Sequence, residues 1–168
     1  EQTRVRLFEI GRCFVKKNGA YAESEKLAGL CYGDFTAEQW GTPAREMDFF
    51  DAKADIEALF WPALVNFRVA SHPALHPGKS AEICLGDRRA GYIGELHPHW
   101  RQKFGLPNST VLFEANLELL MERALPVAVE ISKFPLIRRD IAVVVPENIT
   151  VQAMLESMRT EYSPIISE

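Results

Sequence analysis

The sequence predicts an α+β fold in which a mainly antiparallel sheet carries one long helix and a shorter, incomplete unit follows. Short runs in which apolar and polar residues alternate are separated by turn signals, as in antiparallel strands. Residues 48–63 instead place their apolar side chains mostly at steps of three and four, the spacing of an amphipathic helix. Pro126 and the polar stretch after it separate this pattern from a final strand and helix.

The composition is that of an ordinary globular protein. The 168 residues are 47% hydrophobic and 25% charged, which suits one domain, or one domain and part of another. The net charge of −4 excludes a strongly basic nucleic-acid-binding footprint over the whole chain, but not local basic patches. Three widely spaced cysteines predict buried thiols in a reducing cytoplasm, and no apolar run approaches the roughly 20 residues of a membrane span. The chain opens in a strand without an initiator methionine, so we expect a fragment of a longer protein.

The first predicted elements are a hairpin and the helix. Residues 4–15 and 25–35 each have the pattern of a strand, and the turn residues 18–19 between them predict a hairpin whose first strand is half-buried. The helix over 48–63 carries acids in its first turns, where the helix dipole favours them. Pro62 should end it, because proline has no backbone N–H to donate.

A second hairpin is predicted where two apolar runs flank the polar turn 86–89, and Arg88 and Arg89 are expected to face water. The remaining short elements are a strand at 65–72, one or two helical turns at 97–108, and a strand that passes into a short helix within 109–125.

The last unit is predicted to be a central strand, a turn and a helix. Residues 141–145 form a continuous, largely β-branched apolar run, and Asn148 or Thr150 can cap the helix that follows. One strand and one helix cannot bury both of their faces, so this unit is expected to be incomplete at residue 168.

All four histidines lie in residues 72–100, together with the P-loop-like letters Gly78-Lys79-Ser80. A phosphate-binding P-loop needs glycine where Pro73 stands, and Pro77 removes a backbone N–H from the loop. The sequence therefore argues against a nucleotide-binding loop here.

A metal site is an alternative interpretation of the same stretch. The prolines next to the histidines argue against a helix that would align them, and loop histidines more often bond to water or to the backbone. The candidate ligands are His72, His76, His97 and His99, with Glu82, Asp87 and Glu95.

A small basic cluster lies in the last unit. Lys133, Arg138 and Arg139 can meet the phosphates of a nucleic acid. Arg138 or Arg139 can equally pair with Asp140 or with a carboxylate of another domain, so both interpretations stay open. No motif for nucleophilic catalysis is present, and the acids at 46–51 are explained by a helix start.

Four collinear segments resemble the bacterial phenylalanyl-tRNA synthetase β subunit near its C-terminal end. Together they span nearly the whole chain, and their order is more specific than any one of them. They are "LFEIGRCF" (7–14), "DFFDAKADIEALF" (48–60), "HPALHPGKSAEICLGDRRAGYIGELHP" (72–98) and "FPLIRRDIAVVV" (134–145).

The resemblance implies a class II synthetase-like antiparallel sheet with flanking helices, followed by an incomplete ferredoxin-like unit. Residues 1–125 would be an inactive, catalytic-like core module, 126–132 a linker, and 133–168 the truncated start of a ferredoxin-fold anticodon-binding domain. Class II sites grip ATP with arginines on two strands. The segment 7–14 has no such arginine in an "RxE" motif, and Gly91 and Gly94 remain at the later position without one.

The resemblance also implies a function. The chain would be a non-catalytic scaffold and subunit-interface module of phenylalanine–tRNA ligase, binding no cofactor itself, while the whole cytoplasmic enzyme uses ATP and Mg²⁺. Its partners would be the α subunit, in an α2β2 assembly, and tRNA(Phe), contacted by Lys133, Arg138 and Arg139; no membrane is expected. A stand-alone RNA-binding module and a histidine-based metalloenzyme are the alternatives.

Overall fold

The computed structural model describes residues 2–122, 128, 133, 135 and 137–162. The chain divides into two compact units, Glu1–Pro126 and Val127–Glu168. The predicted linker at 126–132 lies outside the described residues except for residue 128.

The described residues of the first unit form an α+β structure that contains one sheet and three helices. Its strands are β1 (Arg4–Lys17), β2 (Ala20–Gly33), β3 (Val65–Val69), β4 (Leu75–Leu85), β5 (Arg88–Leu96) and β6 (Thr110–Asn116). Its helices are α1 (Phe49–Phe60), α2 (Pro98–Lys103) and α3 (Leu117–Met121). The strands make a single antiparallel sheet in the order β1-β2-β6-β5-β4-β3, so β6 inserts between two strands that precede it in the chain. This confirms the predicted α+β class and the antiparallel sheet.

Helix α1 begins where the acidic residues predicted it. The carboxylate of Asp48 accepts hydrogen bonds from the N–H groups of Phe50 and Asp51, while the Asp51 carboxylate accepts one from the N–H of Asp48. This reciprocal capping box satisfies backbone donors that have no partner inside the helix. Arg45 holds the same Asp51 carboxylate through two bonds of 2.7 Å, and these bonds lower the pKa of Asp51. The helix ends at Phe60, just before Pro62, as predicted.

The core lies between α1 and one face of the sheet. Ala52 and Ile56 of the helix are fully buried, and they pack in one cluster with alternate residues of the central strands. In each strand successive side chains point to opposite faces, so this cluster uses one face of the sheet only. The strand residues in the cluster are Leu27, Val65, Ala81, Ile83, Ala90, Ile93, Val111 and Ala115.

The β1–β2 hairpin extends beyond the sheet, which corrects the prediction of a half-buried first strand. All of β1 pairs with β2, from Arg4 to Lys17, but β2 pairs with β6 only over 26–32. Residues 12–17 and 20–25 are therefore a two-stranded arm with no third strand among the described residues. As a result Phe8 is 78% exposed and Phe14 is 61% exposed, because β1 is an edge strand and its outer half has no sheet to pack on.

The predicted second hairpin is present, but its arginines do not simply face water. The turn consists of Gly86 and Asp87, and Arg88 begins β5. Arg88 binds both carboxylate oxygens of Glu122, which raises the pKa of the arginine and lowers that of the glutamate. Arg89 donates to the hydroxyl of Tyr92. Both arginines stay exposed, but each has a partner that folding brings to it.

The second unit contains the predicted helix, α4 (Val151–Tyr162), but the strand predicted before it is absent from the described residues. Thr150 caps α4 by accepting a bond from the N–H of Ala153. The prediction of a central strand at 141–145 is wrong: these residues are not in a strand, and Val144 is completely exposed. A strand needs a neighbour to complete its hydrogen bonds, and the described part of the unit supplies none.

Replacing Gly91 with alanine is expected to destabilise the first unit. A Cβ at this position would overlap the backbone oxygen of Glu114 in the neighbouring strand β6, which cannot move without separating the two strands. We expect a loss of about 2–3 kcal/mol in the free energy of unfolding, measured by urea denaturation. Gly11→Ala is the matched control, because a Cβ there meets nothing within 4 Å. Equal stability of the two variants would contradict this account.

Stability at low pH should depend on Asp51. Its pKa is lower in the folded chain than its ordinary value of 3.8, so the carboxylate stabilises the fold above about pH 4 and this contribution is lost as pH falls through the lowered pKa. Asp51→Asn should cost about 1–2 kcal/mol at pH 7, measured by urea denaturation, and the difference from the parent should shrink in acid. Asp87→Asn is the control: this carboxylate is fully exposed and lies 3.6 Å from Arg68, so its loss should leave the free energy of unfolding at pH 7 almost unchanged.

Candidate functional site

A groove of about 580 Å³ crosses the sheet face opposite α1. Its floor is formed by residues that alternate along β2, β5 and β6 with the buried core residues, so they point away from the helix. Chain segments on either side form its walls. The lining residues are Leu7, Phe8, Glu9, Ala28, Gly29, Leu30, His72, Ala74, Leu75, Tyr92, Leu112, Phe113 and Glu114.

The strand register arranges the floor in two rows that run across the sheet. One row is apolar, because Leu7 lies opposite Leu30 and Leu30 lies opposite Leu112. The next row is mainly polar, with Glu9 opposite Ala28, Ala28 opposite Glu114, and Glu114 opposite Tyr92. Because the side chain of Ala28 is small, the row is concave between the carboxylates of Glu9 and Glu114.

Two carboxylates line this groove, and no lysine or arginine does. The carboxylates belong to Glu9 and Glu114. Lys26 pairs with Glu114 at 3.5 Å from beside the groove, and Glu9 has no ion-pair partner within the described residues. Because like charges repel, the groove does not suit a triphosphate.

Three of the four histidines bond to the backbone. His72, His76 and His97 each accept a hydrogen bond through Nδ1 from the N–H two residues further along the chain. His97 caps α2 in this way, and the ring of His99 packs edge-on against Trp100, 5.2 Å between centroids. Only His72 lines the groove, where its ring lies 5.1 Å from that of Tyr92.

The described residues contain no group of three or more histidine, cysteine, aspartate or glutamate side chains placed to hold a metal ion. Of the predicted oxygen ligands, Glu95 is buried and pairs with Lys79 at 2.5 Å, and Glu82 pairs with Arg89. The structure therefore does not bring the predicted metal ligands together within this part of the chain.

The P-loop-like letters belong to strand β4. Lys79 is held by Glu95, and the hydroxyl of Ser80 donates to the carbonyl oxygen of Ala70 at 2.6 Å. Gly94 lies opposite Ser80, where a Cβ would press on the β4 backbone. These residues are part of a strand and have structural partners in the sheet.

The cysteines are free thiols, with Cys31 and Cys84 buried and Cys13 partly exposed. Burial raises the pKa of the Cys31 thiol, which disfavours the reactive thiolate. Of the clustered acids before and at the start of α1, Asp48 and Asp51 form the capping box, which agrees with the prediction that they serve a helix start.

The predicted tRNA contacts lie in the second unit, apart from the groove residues in sequence. Lys133, Arg138 and Arg139 are all exposed, as is Asp140. The sequence did not indicate the groove itself, because its rows join residues about 20 to 100 positions apart through strand register. Among the described residues, none of the helices combines the length and apolar character needed to cross a bilayer.

Comparison with known proteins agrees with the resemblance found in the sequence. A family model described as the phenylalanyl tRNA synthetase beta chain CLM domain matches residues 1–117. The phenylalanine–tRNA ligase beta subunit of Nitrosospira multiformis is 62% identical over 168 residues, which is 100% of this chain and 21% of the relative. The beta subunits of Dechloromonas aromatica and Burkholderia pseudomallei are 44% and 48% identical, over 100% and 93% of this chain and 22% and 20% of theirs.

The chain thus spans about a fifth of the length of the curated relatives it matches. The family model covers more than half of the chain and all six of the described strands. The chain therefore belongs to the family of the phenylalanyl tRNA synthetase beta chain CLM domain.

Proposed function

We propose that this chain is a non-catalytic scaffold and subunit-interface module of a phenylalanine–tRNA ligase, carrying the start of a tRNA-binding domain. The observation that carries the proposal is the groove on the open sheet face, which is lined by two glutamates and by no arginine or lysine. Activation of an amino acid by ATP needs cations that stabilise the charge on the phosphates. The carboxylates in this groove are negatively charged and would repel the phosphates.

The proposal includes a finer description of the fold. The first unit would be a class II synthetase-like sheet with flanking helices, which the six antiparallel strands and α1 support. The second unit would be the start of a ferredoxin-fold anticodon-binding domain, supported by α4 and by the sequence resemblance. ATP, with its Mg²⁺, would be used elsewhere in the enzyme, since the groove is lined by no lysine or arginine that could hold the phosphates.

Helix α1 is the proposed contact for the α subunit. Large apolar groups at its start and just after its end are left in water by the described fold: Phe50 is 71% exposed, Trp61 70% and Leu64 63%. Large aromatic and aliphatic side chains are common at protein interfaces. The relatives are named beta subunits, a name that itself supports a partner of another kind.

A co-purification and activity experiment tests this role. The chain is mixed with the α subunit from Nitrosospira multiformis, passed through a size-exclusion column, and assayed for phenylalanine-dependent ATP–pyrophosphate exchange. We expect co-elution with the α subunit and no exchange by the chain alone. The double variant Phe50→Ser, Trp61→Ser should lose co-elution, because these side chains would be buried at the interface.

Trp40→Ser is the matched control, because Trp40 is a fully exposed aromatic residue outside α1. Exchange catalysed by the purified chain alone would overturn the non-catalytic role. Co-elution that survives in the double variant as well as in the control would overturn the α1 interface.

The contact with tRNA is proposed to involve Lys133, Arg138 and Arg139. The double variant Arg138→Gln, Arg139→Gln should weaken binding of whole tRNA(Phe). It should also reduce the slope of log affinity against log salt by about 1–2, because fewer phosphate contacts form and fewer counterions are released. Filter binding between 50 and 200 mM salt, roughly the range over which such contacts dominate, measures both quantities. An unchanged slope would show that these arginines instead serve as ion-pair partners.

A further inference from the structure

Helix α2 and its C-cap residue carry a group of aromatic and basic side chains, which we call the α2 cluster: His99, Trp100, Arg101, Lys103 and Phe104. The rings of Trp100 and Phe104 are stacked, with centroids 6.1 Å apart and planes inclined by 21°. The ammonium group of Lys103 lies 5.0 Å from the centre of the Trp100 ring.

The outermost ring of this stack remains in water. Phe104 is 63% exposed, whereas Trp100 beneath it is half-buried. A large exposed aromatic ring that already stacks on a second ring offers a flat apolar surface on which a third ring can stack.

The positive charge of the cluster is not compensated within the first unit. Most other arginines and lysines described in this unit lie within 4 Å of a carboxylate, including Arg6, Lys53 and Lys79. Neither Arg101 nor Lys103 has a carboxylate partner among the described residues, and no acid occurs in the sequence from 96 to 113. The cluster is therefore a cationic patch on a chain whose net charge is −4.

The backbone holds these side chains in place at both ends of the helix. His97 caps the start, and Pro98 occupies the first turn. At the end, Gly105 has a φ of +63°, its N–H donates to Gln102 and that of Leu106 donates to Arg101, the pattern of a Schellman motif. The platform is thus formed before any ligand arrives, which lowers the entropic cost of binding.

We propose that the α2 cluster binds a single-stranded segment of RNA. A base would stack on Phe104 and continue the Trp100–Phe104 stack, while Arg101 and Lys103 would contact the flanking phosphates. Single-stranded nucleic acid is the partner that combines flat rings with regular negative charge, and aromatic stacking with nearby cations is how proteins bind it without reading its sequence. The site goes beyond the proposed contacts in the second unit and rests on the proposed function only in taking RNA as the nucleic acid.

Binding of a fluorescent ten-nucleotide oligoadenylate to the 168-residue chain tests the proposal. Fluorescence anisotropy is measured for the parent, for Phe104→Ala, and for the double variant Arg101→Gln, Lys103→Gln. Phe104→Ala should weaken binding about tenfold, because it removes the stacking surface. The double variant should reduce the slope of log affinity against log salt by about 1.4, since two phosphate contacts are lost.

Trp40→Ala is the control for losing an exposed aromatic residue, and it should bind like the parent. Each variant is also checked by thermal unfolding. The replaced side chains lie at the surface, so we expect the melting temperature to stay unchanged. A parent chain that does not bind the oligonucleotide, or a Phe104→Ala chain that binds as tightly as Trp40→Ala, would overturn the proposal. So would tighter binding of an RNA duplex of the same length.

This result can be separated from the tRNA contact proposed for Arg138 and Arg139. If the oligonucleotide affinity falls in the α2 variants but not in the Arg138→Gln, Arg139→Gln chain, the α2 cluster acts by itself. If only the Arg138→Gln, Arg139→Gln chain loses affinity, the α2 proposal fails while the contact in the second unit stands.

Discussion

The packing of α1 against the middle of the sheet is the interaction on which the rest of the first unit depends. Ala52 and Ile56 are fully buried against alternate residues of the central strands. The small side chain of Ala52 lets the helix approach closely, and the capping box at Asp48 and Asp51 holds the position where it starts. Helix α1 and Leu120 of α3 cover one face of the six-stranded sheet, and the groove lies on the opposite face, which the described residues of the first unit leave uncovered.

The two faces of the sheet therefore have separate roles. The covered face provides stability through close apolar packing, while the opposite face carries Glu9 and Glu114 in a row beside the leucines. A sheet of this kind can keep its architecture while its open face changes charge, because those side chains do not take part in the core. The scaffold role proposed for this family member follows from that independence, and it leaves exposed elements such as α2 as the places where partners would bind.

Local signals in the sequence predicted the elements well, and nonlocal features were missed. The turn at Asn18 and Gly19, where φ is +50° and +85°, and the carboxylates at the start of α1 act within a few residues, so both could be recognised. The groove depends on the register of β1, β2 and β6, which no local pattern reveals. The run at 141–145 has the composition of a strand, but composition does not supply a neighbouring strand, and that prediction was wrong.

The position of β6 has a consequence for the order in which the chain folds. β6 forms hydrogen bonds with β2 on one side and β5 on the other, so the sheet consists of two separate hairpin groups until residues 110–116 are available. Pairing β2 with β6 closes a loop of more than 75 residues, and long loops of this kind slow folding because their closure entropy precedes any gain from contacts. On a ribosome, the early hairpin must wait for the last strand of the sheet to emerge, with the apolar surface that will contact β6 still in water.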